Sequence, residues 1–150
     1  MSVLCEKAVE LAGSGIGKTL SLNFVSAGEM AEINAAYVGH SGPTDVICFD
    51  YRETKGDLPQ GNDDDEAEAE IIICPVVAFA EAGKRALPYA REMVLYLVHG
   101  LLHAAGEDDL KPELKRKMRR REKSVMNELE KDFVFEKIFP KPVQTGIEIR

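Results

Sequence analysis

Three observations predict an α+β fold built around one buried helix. Strand-like patterns fall in the first half of the chain, and helical patterns dominate the second. The stretch YAREMVLYLVHGLLHAAG (89–106) is apolar nearly all round, through Met93, Val94, Leu95, Leu97, Val98, Leu101 and Leu102. Such a helix belongs in the middle of a core. EIIIC (70–74) is a continuous apolar run, which suits a strand covered on both faces. Strands early and helices late, without regular alternation, give α+β. At 150 residues, 45% apolar and 30% charged, the chain is expected to form one domain.

The elements follow in order. Residues 3–12 place Val3, Leu4, Ala8, Leu11 and Ala12 at helical spacing. SLNFVS (21–26) alternates Leu22 and Phe24 with polar neighbours, as a half-buried strand does. Ser26 and Glu29 form an S-x-x-E capping box, opening a helix with Met30, Ile33 and Tyr37 on one face. GHSGP (39–43) ends it, and TDVICFDY (44–51) reads as a β-branched and aromatic strand. Residues 52–69 are polar and acidic, with Gly and Pro, and predict a long loop or hairpin tip. Pro75 suits the first turn of a helix over 75–86. Pro88 separates that helix from the apolar one at 89–106. A last helix over 112–131 has a Leu114, Met118, Val125, Leu129 stripe for docking. The tail beyond 132, with Pro140 and Pro142, gives no clear pattern.

Charge is unevenly spread. The net charge is −7, yet residues 111–123 hold eight Lys/Arg against two Glu, while DDDEAEAE (63–70) holds six acids. A basic helix on an acidic body either attracts phosphate locally or is a solvated face. Cys5, Cys48 and Cys74 are odd in number and lack C-x-x-C spacing, as expected for reduced thiols of a cytoplasmic protein. The first residues contain acids and no cationic leader, so no signal peptide is expected. No apolar run approaches the ~20 residues that span a bilayer, so no membrane partner is expected. AGSGIGKT (12–19) matches a relaxed Walker A pattern, but a phosphate loop needs a strand before it and a helix after it. The order here is the reverse, so no nucleotide cofactor is expected.

HGLLHAAGEDD (99–109) carries the chemistry. His99 and His103 lie about 6 Å apart along one helix face. Two imidazoles there either share a metal ion at ~2.0–2.1 Å or are buried rings satisfied by hydrogen bonds. In a straight helix residue 109 would sit ~240° around and ~9 Å along from His103, out of reach of the same ion. Gly106 is the residue type that lets a helix end in a left-handed turn. The acids of EDD then come within reach, and Asp109 completes H-x3-H-x5-D. Two nitrogens, one oxygen and an open fourth position make a catalytic zinc site, although iron or nickel would accept the same donors.

HGLLHAAGEDD resembles the H-G-x-L-H-x-x-G-x-D-H signature of the YbeY family of bacterial rRNA-maturation endoribonucleases. INAAYVGHSGPTDVICFDY (33–51) is similar to the family's L-N-x-x-Y-R and P-T-D-V-L-S-F block, and AEIIICPVVAFAEA (69–82) to its following strand and helix. Together they cover roughly residues 20–130 in the right order. The resemblance implies a small mixed sheet packed with helices around a helix bearing the metal-ligand histidines. It also implies a zinc-dependent nuclease that cleaves single-stranded RNA in 16S rRNA 3′-end maturation and ribosome quality control. The implied partners are precursor rRNA, the small ribosomal subunit, and a ribosomal protein or assembly factor.

Three positions depart from the family pattern: Asp109 replaces the third histidine, Glu107 a tyrosine, and Val38 an arginine. The family also includes members with a similar Asp and without the arginine. Asp109 remains a competent ligand, but its charge should weaken acidification of water at zinc. Val38 removes a cation suited to phosphate, for which His40 or the basic helix are possible substitutes. The implied metal ligands are thus His99, His103 and Asp109. Asp108 and Glu107 are candidates for proton transfer or ligand orientation, with a solvated acidic loop as the alternative. Asp45 ranks below them, as a turn cap. Gly100 stands where a zincin protease places its catalytic Glu, which argues against peptide hydrolysis by that route. Another metal hydrolase, including a metalloprotease of a different kind, and a non-catalytic ribosome-assembly factor are the rival readings.

Overall fold

The structure, a computed structural model, describes residues 2–13, 20–38, 46–50, 69–107 and 110–142. Its elements are α1 (Ser2–Ala12), β1 (Leu20–Phe24), α2 (Ala27–Ile33), β2 (Val46–Asp50), β3 (Ala69–Ile73), α3 (Pro75–Lys84), α4 (Tyr89–Ala104), α5 (Pro112–Asp132) and α6 (Phe135–Ile138). This is an α+β architecture, as expected. The long loop placed at 52–69 lies outside the described residues, apart from Ala69, which already belongs to β3.

The three strands are ordered β1-β3-β2, with β3 parallel to β1 and antiparallel to β2. The sheet is therefore mixed. Leu22, Ile71 and Cys48 are register partners in one row across it. Side chains alternate along β3, so Ile71 and Ile73 join the main core under α4 while Ile72 joins Met30, Ile47 and Cys74 on the opposite face. All three isoleucines are buried, and each burial contributes about 1.5–3 kcal/mol. That two-sided burial explains the uninterrupted apolar run of β3.

α4 is buried on nearly every side, through residues from Ala90 to Ala104. It touches the sheet, α1, α3, α5 and α6. α2 starts as expected: Ser26 Oγ accepts from the Glu29 backbone N–H at 3.2 Å and donates to Glu29 Oε1 at 3.1 Å. It ends earlier than its apolar face suggests, passing at Asn34 into a π-helical turn, Asn34–Val38. The described part of the tail, to residue 142, packs onto the core, which its prolines do not signal. Phe135 and Phe139 are buried, and Phe139 meets Phe24 edge to face, centroids 6.0 Å apart. Among the described residues no helix is long and apolar enough to cross a membrane. A helix precedes and a strand follows the Walker-like stretch, whose residues 14–19 lie outside those described.

Candidate metal centre

His99 and His103 stand half-exposed on the last turns of α4. They line a cleft of about 550 Å³, walled by Cys48, Glu70 and Ile71 of the sheet and by Gly106 and Glu107 beyond the helix. Their spacing of four turns the two rings toward one point. Nε2 of His103 lies 3.0 Å from Nε2 of His99, with ring centroids 4.5 Å apart and planes at 80°. Two zinc–nitrogen bonds of ~2.0–2.1 Å at a tetrahedral angle place the nitrogens roughly 3.3 Å apart, so the pair needs only a small opening to share an ion.

Behind His99 stands Glu122 of α5. Its Oε1 is 2.7 Å from His99 Nδ1. A carboxylate accepting the Nδ1–H fixes the tautomer that leaves Nε2 as a lone-pair donor toward the cleft. The histidine pair and its carboxylate support therefore fit a metal ion. Local pattern alone does not single out Glu122, although the sequence holds a signal for it. Position 122 follows Met118 by four residues, in register with the docking stripe of α5, where an acid is out of place without a partner.

Gly106 closes α4 as expected. Its φ is +101°, in the region that L side chains rarely adopt. The Gly106 N–H donates to the His103 carbonyl at 3.0 Å and the Glu107 N–H to the Leu102 carbonyl at 2.9 Å. These paired bonds stop the helix two residues before the predicted end and turn the chain back toward α5. Glu107 then lies 3.6 Å from Lys117 Nζ and 3.9 Å from Arg121 Nε. Arg121 Nη2 also donates to the Ala12 carbonyl at 2.8 Å, tying the turn to the end of α1. Glu107 is thus part of the cleft wall and is held by cations of the basic helix.

Gly100 has a steric reason to be glycine. A Cβ there would lie 2.8 Å from Ile71 Cδ1, 2.9 Å from Ile71 Cγ1 and 3.1 Å from Cys48 Sγ. α4 rests directly on β2 and β3 at this point, which leaves no room for a glutamate. Cys48 is exposed in the cleft wall, and partial desolvation pushes its thiol up to about 11, so in the metal-free chain it is protonated at neutral pH.

Asp108 and Asp109 lie outside the described residues, as do His40, Asp45 and the side chain of Val38. Among the described residues no group of three or more His, Cys, Asp or Glu is arranged to hold a metal. The described part of the site is the histidine pair, Glu122 and Glu107.

Residues 2–130 match the family model described as Endoribonuclease YbeY. The chain is 36% identical over 124 residues to the Endoribonuclease YbeY of Desulfitobacterium hafniense strain Y51, covering 82% of this chain and 79% of that one. With the Endoribonuclease YbeY of Salinispora tropica it shares 36% over 106 residues, 66% of each chain. With that of Rhodococcus jostii strain RHA1 it shares 34% over 105 residues, 66% of this chain but 56% of the relative. The solution structure of TM1509 from Thermotoga maritima superposes with a TM-score of 0.56 at 25% identity, covering 97% of this chain and 90% of that one. With a family model that takes in both histidines, Gly106 and Glu122, the chain belongs to the YbeY endoribonuclease family.

Proposed function

We propose that the chain is a metal-dependent endoribonuclease that cleaves single-stranded RNA during rRNA maturation, at the 3′ end of 16S rRNA. The observation that carries this reading is the convergence of the His99 and His103 Nε2 atoms at 3.0 Å in an open cleft, in a chain of this family. His99, His103 and Asp109 would hold the ion, with zinc the first choice and iron or nickel compatible with the same donors. When bound, the ion supplies Lewis-acid polarisation of a phosphodiester and lowers the pKa of water. Glu122 orients His99 for this task, and the left-handed turn at Gly106 ends α4 ahead of the segment that carries Asp109. Because Glu107 is engaged by Lys117 and Arg121, we assign it a positioning role and Asp108 the role of proton acceptor. The expected partners are precursor rRNA and the small ribosomal subunit in the cytoplasm, with a ribosomal protein or assembly factor alongside and a role in ribosome quality control.

Peptide hydrolysis by the H-E-x-x-H route is disfavoured by the contact of Gly100 with Ile71. The test is elemental analysis of the purified protein, together with 16S 3′-end processing, before and after Asp109→Ala. Loss of both is expected. Normal processing by a metal-free variant would sink metal catalysis. Cleavage of peptides without cleavage of RNA would favour a protease, and tight subunit binding without metal-dependent cleavage would favour an assembly factor.

A further inference from the structure

We propose that the outward face of α5 is a docking surface for the phosphate backbone of single-stranded RNA. The proposal rests on the ribonuclease reading above and places its substrate beyond the cleft. Arg116, Arg119, Arg120 and Lys123 recur at i, i+3, i+4 and i+7, and all four are exposed. None of them has an ion pair among the described residues, whereas Lys117 and Arg121 on the flank of the same helix are taken by Glu107. Like charges three and four residues apart repel and weaken a helix. This stripe sets Arg116 against Arg119 and Arg120, and Lys123 against the same two.

A helix that needed only a wet surface would mix its signs, as the last turn of α5 does where Lys131 meets Glu128 at 2.9 Å. In a chain with 26 acids and 19 Lys/Arg, eight of the basic residues crowd into 111–123. That concentration fits a polyanion. Of the apolar residues of α5, Met118, Val125, Met126 and Leu129 are buried in the core and Leu114 is half-buried, so the helix has no broad apolar face to insert into a membrane. From Arg116 to Lys123 the stripe runs about 10 Å, roughly three steps of a stacked strand at ~3.4 Å each. Glu122, on the inward side of the same helix, touches His99 at 2.7 Å. Stripe and histidines are therefore separated by no more than about one helix diameter, ~10–12 Å.

The test is fluorescence anisotropy of a labelled single-stranded RNA oligonucleotide, in chelator, so that binding is read without cleavage. The full chain is compared with the variant Arg116→Gln, Arg119→Gln, Arg120→Gln, Lys123→Gln between about 50 and about 200 mM salt. Removing four phosphate contacts should flatten the slope of log affinity against log salt by about 2 to 3, and affinity at the lowest salt should fall at least tenfold. The melting temperature should hold or rise, because repulsion is relieved. Should the fourfold variant fail to fold, the pairs Arg116→Gln, Arg120→Gln and Arg119→Gln, Lys123→Gln should each flatten the slope by about half as much. Lys84→Gln, on α3 and off the stripe, should leave the slope unchanged. An unaltered slope in a folded stripe variant overturns the proposal, even if the chain cleaves RNA. Salt-dependent self-association of the unsubstituted chain, or binding to phosphatidylserine vesicles, in place of RNA binding also overturns it. Loss of RNA binding in the variant supports the stripe even if metal-loaded protein cleaves nothing, an outcome that would remove only the ribonuclease reading.

Discussion

His99 Nδ1 and Glu122 Oε1 lie 2.7 Å apart, although 23 residues and the turn between α4 and α5 separate them in sequence. The contact ties the histidine face of α4 to the inward face of α5 and orients Nε2 toward the cleft. Removing such an outer partner commonly costs 10–100-fold in metal affinity. Glu122→Ala should therefore lower zinc affinity by about that factor, and Glu122→Gln, which keeps an acceptor oxygen, by less. Competition with a chromophoric chelator measures both, alongside the melting temperature of the metal-free proteins. Equal zinc affinity in all three chains would reduce Glu122 to a tie between helices.

Gly100 and Ile71 set the closest approach of α4 to the sheet. Gly100→Ala improves intrinsic helix propensity by about 1 kcal/mol. It also drives a methyl group to within 2.8 Å of the buried Ile71 Cδ1, and overpacking typically costs about 1–3 kcal/mol. The clash should win by about 1 kcal/mol, lowering the melting temperature by roughly 2–4 °C. Ile71→Val removes the nearest atom, so the double variant should be more stable than the sum of the single losses predicts. Strict additivity in denaturant titrations would contradict this packing account.

The parts of the fold legible in the sequence were those written in local pattern. The all-round apolarity of 89–106 marked the central helix, the isoleucines of EIIIC marked the doubly covered strand, and Gly106 marked the left-handed turn. What periodicity could not carry was contact between distant segments. Glu122 sits among basic residues and reads as surface until α5 is laid beside α4. Phe135 and Phe139 lie in a proline-flanked tail whose packing onto the core depends on where α4 and β1 are. Helix ends overshot by two residues at both 84 and 104, because the left-handed residue that closes each helix, Ala86 or Gly106, stands two positions beyond its last helical residue. At α3 that residue is an alanine, which no sequence rule anticipates.

Ala86 has φ +54°. It serves as the left-handed closing residue of α3, with the Ala86 N–H donating to the Gly83 carbonyl at 3.3 Å and the Leu87 N–H to the Ala82 carbonyl at 2.9 Å. A left-handed conformation costs a residue with a Cβ about 1–2 kcal/mol, and glycine escapes that cost while losing more chain entropy on folding. Ala86→Gly should give a net gain of about 0.5–1 kcal/mol, seen as a higher midpoint in urea with an unchanged slope. A lower midpoint would show that α3 draws stability from the alanine methyl group.

Alkali should destabilise the protein through groups that are held protonated. Loss of solvent lifts the Cys48 thiol from 9.0 to about 11 and the Tyr89 phenol from 10.0 to about 12. Below pH 9 the folded and unfolded chains both keep the Cys48 proton. Between pH 9 and about 11 only the folded chain keeps it, so the unfolded state binds fewer protons and stability falls as pH rises. Tyr89 adds the same sign between pH 10 and about 12. Urea midpoints should thus be flat from pH 7 to 8.5 and decline above pH 9, with a shallower decline in Cys48→Ala. Iodoacetamide labelling, read peptide by peptide, offers a second measure. Cys48 should react slowly at pH 8 compared with the unfolded chain, and its rate should climb about tenfold per pH unit until the thiol titrates. Labelling at pH 8 as fast as in the unfolded chain would show that the cleft does not disfavour its thiolate.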